Sequence, residues 1–477
     1  MGSRALSMKL IRKIVFLIAA IGMLHAQAQE SPNIIMVMTD DLGWFDVGFN
    51  GNTQIQTPYL DNMAKSGIIL DRFYSASAVC SPTRASCLTG RNPNRMGIPH
   101  ANTGHLKKEE TTIPELLKNE GYVTGFFGKW HLGILTKNTI DANRGGRKQH
   151  FEHYSIPAGH GYDSYFCTES KVPTYDPMVF PASFESHESK RYGWNAITNK
   201  KEKNYGTSYW KGVEDAETKN LNGDDSKIIM DRVIPFIRNA VDKGKPFFTT
   251  IWFHTPHLPV VADGKHCNLY EGLSEEEKIY YGTISALDDQ MGRLWEYLVA
   301  QGVSDNTMIW FCSDNGPEEK TPGSAGIFRE RKRSLHEGGV RVPAFIVWEK
   351  SLPGGNRIDY PMVTSDYLPT IIDFLEIDYP VERPLDGISV KDALTGKSKR
   401  RNQAIGFMFS DQISWVSDDF KLISKDKGQT FELYDLKKDK AEKHDIKEAH
   451  PDRVADMSKH LSAWIRSVEN SNSGADY

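Results

Sequence analysis

The 477-residue chain carries 62 acidic against 58 basic residues, a formal net charge of −4, and 39% of it is hydrophobic. That balance excludes general nucleic-acid binding, which needs a basic footprint, and it leaves any anionic ligand to be drawn by a local cluster of cations. The length is enough for a large core and for more than one folding unit.

Arg4, Lys9, Arg12 and Lys13 precede an apolar run over 14–24 and the small-x-small triplet Ala26, Gln27, Ala28. This pattern predicts a cleavable signal peptide over 1–28 and a secreted or periplasmic product; Met8 offers a second start. The run is too short to cross a bilayer, and no other stretch approaches about 18 uninterrupted apolar residues. No Cys follows it closely, so no stable membrane anchor is expected. With the leader's basic residues gone, 62 acidic residues face 54 basic ones, a net of −8. Five cysteines remain, Cys80, Cys87, Cys167, Cys267 and Cys312. In an oxidising compartment an odd count leaves one unpaired or specialised thiol.

The first predicted element is a strand over 33–38, N-I-I-M-V-M, apolar throughout as in a parallel sheet covered on both faces. It runs into Asp40 and Asp41. Helical patterns follow over 57–66 and 113–119, a strand over 121–127, a helix over 225–241, a strand over 245–254 and a long helix over 274–301. The strand over 307–313, T-M-I-W-F-C-S, runs into Asp314 and Asn315, and a fifth strand is expected over 342–348. This alternation predicts an α/β fold, a large mixed but mostly parallel sheet sandwiched by helices. Residues 29–400 are read as the domain built on this sheet. Within it, 141–224 has little periodicity and is read as a long insertion over the sheet edge, where Tyr162, Tyr175 and Trp194 offer rings for stacking on a ligand or for packing on the domain beneath. From 401 the pattern shortens to strands over 404–409, 420–424 and 430–434 and a helix over 451–468, a smaller C-terminal α+β subdomain over 401–477.

Asp40, Asp41, Asp314 and Asn315 all follow predicted strands, and open α/β sheets bind ligands beyond the carboxyl ends of their strands. Either pair alone reads as an ordinary turn. Together they form an all-oxygen donor set suited to calcium or magnesium. In V-C-S-P-T-R-A-S-C-L-T-G, Pro82 suits a first helical turn and Gly90 a left-handed end. Cys80 then sits at the helix's positive end, with Arg84 one turn on.

C-S-P-T-R-A-S-C-L-T-G-R resembles the signature of the type I sulfatases, of the alkaline phosphatase superfamily, in which a separate maturation enzyme oxidises the cysteine to Cα-formylglycine. The blocks P-N-I-I-M-V-M-T-D-D-L-G-W, G-K-W-H-L-G, H-T-P-H-L-P, C-S-D-N-G, E-G-G-V-R-V-P and L-Y-D-L-K-K-D resemble the same family in the same order. The resemblance implies that Asp40, Asp41, Asp314 and Asn315 hold one Ca2+ and that Cys80, as formylglycine, is the nucleophile, supported by Arg84 and Lys129. It further implies that His131 serves the hydrated aldehyde and that His257 and Lys332 meet the sulfate and the ester oxygen. Lys332 is aligned five residues before Glu337, with Arg331 and Arg333 as competing cations. His257 is preferred to His254 by its P-H-x-P setting. The implied function is hydrolysis of sulfate esters, with a sulfated carbohydrate as substrate. Rival readings are a phosphonate or phosphate ester hydrolase of the same superfamily and a non-catalytic binder of sulfated glycans. A binder, however, needs no acid for a leaving group.

Overall fold

Every residue of Asn33–Thr39 is buried, as is every residue of Thr307–Ser313, because each strand lies between two neighbours and under helices on both faces. The computed structural model describes residues 31–181, 192–194, 204–380 and 383–477; the expected leader lies outside them. Among the described residues ten strands form the main sheet: β1 (Asn33–Thr39), β2 (Ile68–Leu70), β3 (Val123–Lys129), β4 (Ser164–Thr168), β5 (Trp210–Gly212), β6 (Asp215–Ala216), β7 (Phe247–Trp252), β8 (Thr307–Ser313), β9 (Ala344–Val347) and β10 (Asn356–Ile358). Their spatial order is β10-β2-β9-β8-β1-β7-β3-β4-β5-β6. The central run β8-β1-β7-β3-β4 is parallel throughout. β9, expected as a further strand, pairs antiparallel to β8.

Side-chain alternation along the strands divides the core in two. Ile34, Met36 and Met38 of β1 join a cluster with helices α1 (Cys80–Thr89), α2 (Ile113–Asn119) and α3 (Tyr367–Leu375). Ile35 and Val37 face the opposite cluster, with the helices Pro58–Ser66, Asp225–Asp242 and Glu275–Ala300. Part of the segment read as an insertion is itself sheet, since β4, β5 and β6 come from it. Tyr162 packs beneath it, 2% exposed, with its hydroxyl on Thr250 Oγ1 at 2.8 Å.

Beyond residue 401 four antiparallel strands, Ile405–Phe409, Gln412–Ser417, Phe420–Ser424 and Glu432–Asp435, follow one another in space as in sequence. Gln412–Ser417 alone was not anticipated. Leu422 and Leu433 pack on Met457 of the terminal helix Pro451–Asn470. The other sheet face, with Ile405, Phe407 and Val416, packs on Tyr74, Ala78 and Leu335 of the larger layer. Residues Asn33–Tyr477 cluster as one compact unit.

Candidate active site

Sheet register brings the two acidic turns together. Thr39 pairs with Ser313, so Asp40 and Asp314 leave neighbouring parallel strands at one level. The Asp41 N–H donates to Asp314 Oδ1 at 3.2 Å, and Asn315 Nδ2 donates to Asp41 Oδ1 at 2.6 Å. Asp41 holds φ at 67°, a left-handed conformation that costs a non-glycine residue about 1–3 kcal/mol and is typical of functional turns. All four side chains are buried.

Three cations close around these carboxylates. Lys129, the last residue of β3, places Nζ 2.6 Å from Asp40 Oδ2. Lys332 Nζ lies 2.6 Å and 2.8 Å from the two Asp41 oxygens. Arg84 donates from Nε and Nη2 to Asp314 Oδ2, at 3.1 Å and 2.7 Å, and from Nη1 to the Lys129 carbonyl at 3.1 Å. Its donors are therefore engaged by Asp314 and the β3 backbone. Burial alone would raise the pKa of Asp40, but Lys129, His257 and Arg84 hold it well below the usual range. Asp314 goes the other way: burial, then the Asp40 charge beside it, pushes it up to about 7.

Such crowding is what a hard dication relieves. Asp40 Oδ1 and Asn315 Oδ1 are buried with no hydrogen-bond partner, an expense proteins rarely tolerate without a ligand. Oxygens of Asp40 and Asp314 lie within 4.8 Å of each other and of Cys80 Sγ, and oxygens of Asp40 and Asp41 lie equally close to a His257 ring nitrogen. Hard oxygen donors with two unpartnered atoms fit a calcium-like ion.

Cys80 is the first residue of α1, after extended Val79, and Gly90 ends the helix at φ 71°. It borders a cavity of about 260 Å³ that Lys129, His131, His257 and Lys332 also line. Burial raises the Cys80 thiol, and Lys129 and Lys332 offset this only in part, so the helix terminus does not create a ready thiolate. All five cysteines are buried and free, so not one thiol but all five are unpaired. Cys87 belongs to the core cluster that also holds Cys312.

His131 sits at φ 56°, with Nε2 2.8 Å from Asn102 Oδ1 and 3.3 Å from Ser170 Oγ, and its buried Nδ1 has no partner. Burial, with Lys129 and Arg84 nearby, drives its pKa well down. His257 turns Nδ1 to the Leu258 carbonyl at 2.6 Å and Nε2 toward Asp41 Oδ2 at 3.6 Å. Burial lowers it to about 4, against the pull of Asp40 and Asp41. His254 is occupied elsewhere, between Asp225 Oδ2 at 2.8 Å and Thr168 Oγ1 at 2.7 Å. Of the competing cations, Arg333 pairs with Glu318 at 2.7 Å and 2.8 Å, and Arg331 reaches backbone carbonyls of Glu319 and Thr321. Asn102, Asn143, Ser170, Lys171 and Tyr205 also line the cavity. No motif marks them, because they come from separate loops.

Residues 32–377 match the family described as Sulfatase, and 323–470 match N-sulphoglucosamine sulphohydrolase, C-terminal. The chain belongs to the sulfatase family. N-acetylgalactosamine-6-sulfatase of Rattus norvegicus is 30% identical over 390 residues, 78% of this chain and 67% of its own. Arylsulfatase G of the same organism is 29% identical over 401 residues, 78% and 70% of the two chains. Among solved structures, Ps i-CgsB in complex with k-i-k-neocarrahexaose superposes with a TM-score of 0.77 at 27% identity, over 93% of this sulfatase and 94% of that chain. The phosphonate monoester hydrolase of Agrobacterium radiobacter shares the fold, with a TM-score of 0.63 at 19% identity. This sulfatase is a sulfuric ester hydrolase. Among the described residues no helix is long and apolar enough to cross a membrane.

Proposed function

We propose that this sulfatase is an exported enzyme that hydrolyses sulfate esters of sulfated sugars or polysaccharides, with Cys80 matured to formylglycine and Ca2+ held by Asp40, Asp41, Asp314 and Asn315. The observation that carries the reading is one cavity bordered by Cys80, Lys129, Lys332, His131 and His257, next to the paired acidic turns. In the net reaction water cleaves RO–SO3−, giving ROH and hydrogensulfate. Ca2+ would supply fixed positive charge at the sulfate oxygens. The hydrated aldehyde would supply a nucleophilic hydroxyl and a second hydroxyl that lets sulfate depart, which a serine lacks.

The remaining work falls to this chain's own side chains. Lys129 and Lys332 offset charge on the sulfate oxygens in a buried setting, where a fixed cation acts strongly. Arg84 keeps the Asp314 carboxylate in place. A sugar alkoxide is a poor leaving group, so a proton delivered to the ester oxygen by His257 gains a factor of about 10² to 10⁴. With its pKa near 4 His257 is neutral at pH 7; the substrate's negative charge favours its protonated form. His131, neutral and with Nδ1 unpartnered, is suited to accept a proton on the nucleophile side.

Names of relatives support the substrate class: N-acetylgalactosamine-6-sulfatases among curated proteins, and a complex with a neocarrahexaose among structures. The test is sulfate release from a panel of sulfated mono- and oligosaccharides by enzyme co-produced with its formylglycine-generating partner. Release from at least one sugar sulfate is expected. Preferential turnover of phosphonate or phosphate esters, or tight glycan binding without release, would overturn the reading.

A further inference from the structure

Among the described residues four cationic side chains line the cavity, Lys129, Lys171, Lys332 and Arg333. Three have a carboxylate partner. Lys129 pairs with Asp40 at 2.6 Å, Lys332 with Asp41 at 2.6 Å and Arg333 with Glu318 at 2.7 Å. Lys171 has none within ion-pair distance among the described residues, although its side chain is exposed to the same space.

Its position is nevertheless built. Lys171 lies just beyond the carboxyl end of β4, and the backbone before it is pinned on both sides. The His131 N–H donates to the Glu169 carbonyl at 2.9 Å. The Glu169 carboxylate accepts from Asn143 Nδ2 and the Arg144 N–H, at 3.0 Å and 2.7 Å. Ser170 touches His131. The segment carrying the ammonium is thus tied to the catalytic wall, and preorganised groups of this kind confer selectivity. The surrounding protein and the charges of Lys129 and Lys332 lower the Lys171 pKa, a penalty that a bound anion would remove.

We propose that Lys171 binds a second anionic group of the substrate, a carboxylate or a further sulfate, beside the sulfate that is cleaved. The proposal rests on the sugar-sulfatase reading above. It makes the preferred substrate a multiply charged saccharide unit, and it makes Lys171 a specificity-determining residue outside the reacting atoms. An ammonium that instead held the scissile sulfate would affect every substrate alike.

The test uses matched disaccharides that share the scissile sulfate and differ only in the second group: hydroxyl, sulfate or uronate carboxylate. Turnover of the singly charged member establishes the reading beneath the proposal, and the ratio of kcat/KM between members decides the proposal itself. Wild type should prefer a doubly charged member, and which one identifies the anion. Lys171→Ala should reduce that preference by about 10- to 100-fold, the worth of a charge-assisted hydrogen bond, and Lys171→Arg should retain most of it. In wild type, added salt should erode the preference, since the group is exposed to screening; this readout needs no variant to fold. Equal losses on both members in Lys171→Ala, or a wild type indifferent to the second charge, would overturn the proposal.

Discussion

Cys80 occupies a place where a thiol gains little. Burial raises its pKa despite Lys129 and Lys332, so unmodified cysteine at the head of α1 is a weak nucleophile near neutral pH. Mass analysis of the peptide holding Cys80 and Cys87 should show an aldehyde in place of the thiol at Cys80 alone when the maturation enzyme is present, because Cys87 lies about two turns along the helix in the core. Multiple turnover by unmodified Cys80 or by Cys80→Ala would sink the mechanism. His257 makes a second residue-level case. His257→Ala should lose about 10² to 10⁴ in kcat on sugar sulfates and far less on an aryl sulfate, whose leaving group needs little protonation. Equal losses would leave His257 only a binding role. Glu318 supplies a pH test: burial opposes its charge, but Arg333 and Lys332 outweigh burial and take its pKa from 4.5 to about 2. Because the folded-state pKa is depressed, the stability it contributes is present above about pH 4.5 and is lost as pH falls toward 2. The melting temperature of Glu318→Gln should lie below that of wild type at pH 6, and the gap should close by about pH 2. A gap independent of pH would contradict the assignment.

At the scale of elements, the end of β3 depends on Gly128. Its φ is 108°, and a Cβ there would stand 1.9 Å from the Trp252 carbonyl oxygen of β7. Backbone contact between β3 and β7 sets where Lys129 leaves the sheet, and so where its ammonium meets Asp40. Gly128→Ala should destabilise the fold by more than about 3 kcal/mol through strain and collision together. Urea unfolding that shows less than about 1 kcal/mol would mean that the strand relaxes without cost. The five strands anticipated from apolar runs are all present, because a strand covered on both faces has to be apolar along its length. The direction of β9 carried no such signal, since parallel and antiparallel neighbours bury the same residue types. Strands β4, β5 and β6, at one end of the sheet, escaped notice for a related reason: they are short, and the loops between them dominate the composition of 141–224.

Over the whole molecule, the terminal sheet is joined to the larger layer by buried charge. Lys421 Nζ lies 2.9 Å from Glu337 Oε1 and 3.1 Å from Glu442 Oε1, all three fully buried. Lys421→Met should cost roughly 3–5 kcal/mol by removing the cation that two buried carboxylates share, since Glu337 would keep only Arg341 at 3.3 Å, and adding Glu442→Gln should recover part of it. A melting temperature within a degree of wild type would refute that coupling. We propose on this ground that 401–477 serves as an integral second layer of the 29–400 domain. The sequence by itself determined the α/β class, the acidic strand ends and the helix that begins at Cys80, because each rests on a local run of apolar, capping or donor residues. Tertiary structure alone decided which side chains share the cavity. Register set Asp40 level with Asp314, packing drew His254 into a network with Asp225 and left His257 free to face the cavity, and three separate loops brought Asn102, Ser170 and Tyr205 to one wall. Contacts of that kind join residues far apart in the chain, and no local pattern encodes the distance between them.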